Sequence, residues 1–170
     1  SNSDQRRLVF FIGDPAMKLS IPEPDIKITQ INDIQITDFN SSMRGLDLIN
    51  IKGEVQGNNG LIIDSYQGEL TATIYDKEIQ RSTLGNDGTT DNLGNPIILD
   101  YNTLGEVLFR GQSTVSDGSF EFNFVVPKDV GMQVDYGKFS FYAKENNNLT
   151  DKNGYDLSVL IGGINENDEE

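Results

Sequence analysis

Oxygen donors carry what chemistry this sequence offers. Residues 151–156 read Asp-Lys-Asn-Gly-Tyr-Asp, so Asp151, Asn153 and Asp156 set oxygens at or near alternate positions around a glycine. Calcium loops are built in this way. Lys152 stands among the donors, and the twelve-residue pattern with a terminal Glu is absent. The competing reading is a strand-connecting turn in which Asn153-Gly154 supplies positive φ. Asn146, Asn147 and Asn148 lower the charge just upstream and favour the turn. A second cluster, Asp87 and Asp91 within the glycine-rich residues 86–95, offers a weak calcium site or a partner contact, against a plain mobile loop at the end of a sandwich. Six tyrosines, at 66, 75, 101, 136, 142 and 155, invite comparison with a sugar-binding platform. Their scatter, with no Trp, fits half-buried strand residues with a polar tip better. The 27 acids give no convincing pair within one cleft for glycosidase chemistry.

What is missing narrows the field further. The 170 residues hold no Cys and no His. That excludes Cys or Ser–His nucleophiles, Cys/His zinc sites and imidazole acid–base work. Lys plus Arg is 13 against 27 acids, a formal charge of −14. Such a balance argues against nucleic acid and against anionic lipid. No run approaches the roughly 20 apolar residues of a membrane-spanning helix, so no membrane insertion is expected. Residue 1 is not Met and no signal peptide is visible, which reads as a piece of something longer.

The elements that must position these groups are strands. Seventeen Gly and five Pro punctuate short apolar runs of period two. Residues 48–56 put Ile49, Ile51, Gly53 and Val55 on one face. Residues 69–75 turn Leu70, Ala72 and Ile74 inward, and residues 138–144 do the same with Phe139, Phe141 and Ala143. Residues 104–115 read as one long strand, and Asp117-Gly118 signals a hairpin. The return strand, residues 119–126, alternates Phe120, Phe122 and Phe124 with polar positions. Residues 25–31 alternate only roughly, residues 79–84 are poorly patterned, and residues 156–161 read as a last strand. Seven or more short strands predict an antiparallel β-sandwich. Pro22 and Pro24 mark a boundary. Residues 1–21 are then the end of a preceding domain, 22–163 the sandwich, and 164–170 an acidic tail or linker.

Residues 9–19 (VFFIGDPAMKL) resemble the segment that closes the catalytic domain in gingipain-type cysteine peptidases. Residues 69–76 (ELTATIYD), 107–114 (VLFRGQST), 117–129 (DGSFEFNFVVPKD) and 149–163 (LTDKNGYDLSVLIGG) look like the β-domain that follows it. Within that family the order and spacing are most similar to the sortase of the Bacteroidetes type IX secretion system (PorU-like). The resemblance implies an immunoglobulin-like accessory module with no catalytic residue of its own, because the family's Cys–His dyad has no counterpart here. It implies an upstream peptidase domain as partner, with secreted cargo or secretion-system proteins as further contacts. It also implies a place on the extracellular face of a Gram-negative outer membrane. Leu8, Val9, Phe10 and Phe11 would be a strand of the preceding domain, and Asp14 would cap a turn or buttress that interface. The alternative is a free-standing surface adhesin or a sandwich binding glycan or calcium.

Overall fold

The computed structural model describes residues 25–147 and 150–164. Thirteen strands follow one another, and no helix intervenes among the described residues. They are β1 (Ile26–Ile31), β2 (Ile34–Gln35), β3 (Ser42–Gly45), β4 (Leu48–Val55), β5 (Gly68–Tyr75), β6 (Ile79–Ser82), β7 (Asp100–Thr103), β8 (Val107–Ser116), β9 (Ser119–Val125), β10 (Asp135–Tyr136), β11 (Lys138–Glu145), β12 (Asp151–Asp156) and β13 (Leu160–Ile164). Eight strands form one antiparallel sheet in the order β12-β11-β5-β8-β9-β4-β1-β2. A small sheet, β10-β13-β3, contains a parallel pair between β13 and β3, and β6 with β7 makes a separate ribbon. The architecture is the all-β sandwich expected from the strand pattern.

The large sheet becomes two layers at the Asp117-Gly118 turn. Both residues have positive φ, 51° and 72°, which Gly accepts freely and Asp tolerates. Next to the turn β8 and β9 share only the pairs Val115↔Phe120 and Ser116↔Ser119. Beyond it they part, β8 continuing along β5 and β9 along β4. Phe120, Phe122 and Phe124 then point between the layers. Phe120 meets Phe141 of β11 at 5.8 Å, and Phe109 of β8 lies 5.6 Å from Phe122 and 5.0 Å from Phe124. These offset and tilted rings suit the aromatic quadrupole. Ile26, Ile51, Leu70, Ile74 and Phe139 complete one continuous core.

The rough alternation of residues 25–31 has a physical cause. The register of β1 against β4 slips between Ile28 and Gln30, leaving Thr29 as an extra residue. This β-bulge lets Ile26, Ile28 and Ile31 all point inward despite uneven spacing.

Three expectations change. Residues 156–161 are not one strand: β12 ends at Asp156 and β13 begins at Leu160. The long strand expected over 104–115 is present but starts later, at Val107, and runs unbroken to Ser116. The segment 151–156, read as a turn, is a strand paired along its length with β11. The described chain enters at Asp25 beside the Asp117-Gly118 turn, where the Gln56 N–H donates to Asp25 and the Val55 N–H to Gly118. It leaves at Ile164, which pairs with Gly45, next to Leu46, whose N–H donates to Val126 past the far end of β9. Entry and exit lie at opposite ends of the sandwich.

Candidate functional site

Asp151, Asn153 and Asp156 lie along β12, so strand geometry separates them. Period two places Asp151 and Asn153 on one face and Asp156 on the other. Asp151 and Asp156 are five positions apart, roughly 16 Å along a strand. Each of these residues meets a different neighbour. The Tyr142 hydroxyl donates to Asp151 Oδ2 at 2.6 Å. Asp156 Oδ1 accepts from the N–H and the hydroxyl of Ser158, both at 2.7 Å. The Asn153 carbonyl accepts the Asp25 N–H at 2.8 Å. The three therefore do not converge on a point where a calcium ion could sit. Among the described residues no group of three or more His, Cys, Asp or Glu stands where it could hold a metal ion.

The same residues build a seam instead. Gly154 sits opposite Phe141 in the ladder, and a Cβ there would lie 2.2 Å from the Ile26 carbonyl oxygen. Glycine is required for close approach of β1 to β12, not for a turn. Lys152, the intruder in the calcium reading, reaches Asp25 Oδ2 at 2.7 Å with both side chains largely buried. The seam brings β12, at one edge of the large sheet, against β1 near the other edge. Sequence reasoning missed this pair because its members are 127 positions apart.

In residues 86–95 the carboxylates serve their own loop. Asp87 Oδ1 accepts the Thr89 N–H, and Asp91 Oδ1 accepts those of Leu93 and Asn95. These backbone donors hold the Asp87 and Asp91 carboxyls below their usual range. The tyrosines do not assemble into a platform either. Tyr66 is buried, and its hydroxyl donates to the Thr150 carbonyl at 3.2 Å. Burial, with nearby Glu145 and Asp151, pushes it up to about 12. Tyr101, Tyr136, Tyr142 and Tyr155 are exposed but belong to three different sheets. Leu8, Val9, Phe10, Phe11 and Asp14 lie outside the described residues, as do the Pro22–Pro24 boundary and residues 165–170.

One surface went unread in the sequence. β6 and β7 pair only with each other and project from the end of the sandwich where β5 and β11 meet at Tyr75 and Lys138. Ile79 and Arg81 share one ribbon face with Tyr101 and Thr103, and the ladder continues to Leu99 through the Thr83 N–H. The opposite face is polar, with Ser82 donating to Asp100 and Asn102 to Glu78. At the tip Leu84 and Leu93 are 83% and 86% exposed. At the root a recess of about 280 Å³ has walls of Leu104, Tyr136 and Leu157 and carries Glu78, Asp135 and Lys138, with Asp76 paired to Lys77 at 2.7 Å. The run Ile97-Ile98-Leu99 was the sequence signal, hidden because it follows a loop without apolar period.

These features can be set beside known proteins. The crystal structure of dimeric latent PorU from Porphyromonas gingivalis superposes with a TM-score of 0.69 at 24% identity, over 95% of this chain. The chain has the fold of a PorU segment. It spans only 15% of the length of that protein. The sporulation control protein Spo0M from Bacillus subtilis aligns at a TM-score of 0.39 and 13% identity, over 81% of this chain and 48% of its own. No family model matches the chain, and no curated protein does.

Proposed function

We propose that this chain is a non-catalytic, immunoglobulin-like accessory domain of a gingipain-type cysteine peptidase, of the type IX secretion sortase kind. The observation that carries the proposal is the PorU-like fold over nearly the whole chain. A sequence with neither Cys nor His supports it, because a Cys–His dyad would have to come from another domain. In this reading the parent works on the extracellular face of the outer membrane of a Gram-negative bacterium. The sandwich supports the upstream peptidase domain, with Leu8, Val9, Phe10, Phe11 and Asp14 at the junction. Secreted cargo or secretion-system proteins are the further partners. The role asks for no cofactor.

The test is calorimetric titration of this chain into the parent's peptidase domain ending before residue 8. Saturable binding is expected, weakened at least tenfold when Leu8 and Phe10 are both changed to Ser. No heat at high concentration would overturn the proposal and favour an independent adhesin or ligand-binding sandwich. The chain alone should cleave no peptide. Hydrolysis by clean protein, abolished by a point change in it, would overturn the non-catalytic role.

A further inference from the structure

Past its turn with β9, strand β8 keeps a neighbour on one side only. β5 pairs with it from Val107 to Val115, whereas β9 pairs with it at Val115 and Ser116 alone. Asp117 and Gly118 close the hairpin, so Ser116 and Ser119 are the hydrogen-bonded pair that flanks it. Backbone direction alternates along a strand, so Thr114, Gln112 and Arg110 also aim their N–H and C=O groups away from β5. No strand of the described residues receives them. Burial shows the same opening. The inward side chains of β5, Leu70, Ala72 and Ile74, are buried, but Phe109, Gly111 and Ser113 of β8 are only half-buried. The outer edges of the large sheet are different. β12 lies against β1, with the Asp25 N–H donating to the Asn153 carbonyl, and β2 is two residues long. β8 carries neither Pro nor Lys, and no charged side chain points inward from it, so the common protections of an open edge are missing over residues 109–114.

Such an edge selects its occupant. A row of unpaired backbone donors and acceptors takes another extended backbone. A second copy of this chain fits poorly. In an antiparallel pair centred on Gln112, the copy's Val115 stands opposite Phe109, and the copy's Phe120, already paired with that Val115, fills the same place. Centring the pair on Gly111 only moves the collision to Val107. A strand without a hairpin at this point meets no such obstacle. Charge then fixes one of its side chains. On the outer face Arg110 stands opposite Thr73, beside Thr71 and Tyr75, and no ion pair among the described residues includes it. The inner face fixes another. A Cβ on Gly111 would lie 2.4 Å from Phe109 Cζ, so the Phe109 ring lies over Gly111, with Phe122 and Phe124 behind it.

We propose that β8, over residues 109–114, accepts an extended segment of a partner protein as an added antiparallel strand, with an acidic side chain opposite Arg110 and an apolar one opposite Gly111. Main-chain hydrogen bonds to Arg110, Gln112 and Thr114 hold the segment. The acid pairs with Arg110, and the apolar side chain covers the open rim of the Phe109 ring. This inference stands on β8 alone and survives if the peptidase reading fails.

The test titrates three capped peptides of alternating valine and threonine into the labelled full chain by NMR. The first has a glutamate in place of its central threonine and the second a lysine there. The third is the glutamate peptide with N-methyl groups on its threonine and glutamate amides, which would face β8. Salt at about 0.15 M screens the general charge of −14. The glutamate peptide should shift the amides of residues 110, 112 and 114 saturably and slow their hydrogen exchange. N-methylation should weaken binding at least tenfold, and lysine in place of glutamate about threefold, the scale of an exposed ion pair. Arg110→Glu should reverse that preference at an unchanged melting temperature. Gln112→Pro, which removes an N–H from the edge, should weaken the glutamate peptide at least tenfold. Equal binding of the N-methylated peptide would overturn the proposal. So would a lysine preference in the unaltered chain, or no saturable shift at those three residues. Slow exchange at residues 110 and 112 without peptide, at every concentration, would assign the edge to the chain's own residues. Slow exchange that emerges only at high concentration would assign it to a second copy. Either result replaces the proposal.

Discussion

A methyl group on Gly154 would stand 2.2 Å from the Ile26 carbonyl oxygen, with the Ile26 side chain also close, so Gly154→Ala must push β1 off β12. Overpacking of this kind typically costs about 1–3 kcal/mol. A urea melt should show that loss as a lower midpoint with an unchanged slope. An unchanged midpoint would mean the seam does not hold the layers together. Tyr66 gives a second reading of the same interior. A free tyrosine ionises near 10, whereas Tyr66 is pushed up to about 12, chiefly by burial. The folded state therefore favours the neutral phenol. Its contribution is whole below pH about 10 and lost as pH rises through about 12. Melting temperature followed from pH 9 to pH 12 should fall less steeply for Tyr66→Phe than for the parent. Parallel curves would mean that another group controls the alkaline loss.

At the scale of elements, legibility followed burial. β9 could be read because Phe120, Phe122 and Phe124 alternate strictly against exposed neighbours, as a strand with one core face must. β1 was half-readable, its phase shifted by the Thr29 bulge. β12 was unreadable because its core-side positions are Lys152, Gly154 and Asp156, and backbone pairing with β11 holds it rather than an apolar stripe. The two-residue strands β2 and β10 are too short for any period to show. The candidate calcium ligands failed for the same reason as the turn: alternate oxygens look alike in a loop and in a strand, and only the ladder distinguishes them. The ribbon follows a different rule. Its strands pair only with each other, so replacing residues 78–104 by a short glycine-serine turn should leave the melting temperature of the sandwich within about 2 °C, a shift of well under 1 kcal/mol. A larger drop would show that the ribbon supports the layers beneath it.

For the whole molecule the charge of −14 sets the conditions under which it is stable. Like charges spread over a small domain repel one another more in the compact state than in the expanded chain. Added salt shortens the screening length from about 30 Å at 0.01 M to about 8 Å at 0.15 M. Melting temperature should therefore rise by about 2–4 °C across that range, which calorimetry at two salt concentrations can check. A fall would mean that local pairs such as Lys152 with Asp25 outweigh the general repulsion. Entry at Asp25 and exit at Ile164, at opposite ends of the sandwich, also fix how the fold meets mechanical force. Tension between those points pulls β1 lengthwise along β4 instead of peeling it away. The β1–β4 hydrogen bonds and the Lys152–Asp25 contact then share the strain together, so the domain resists stretching in shear where a peeled strand would open bond by bond.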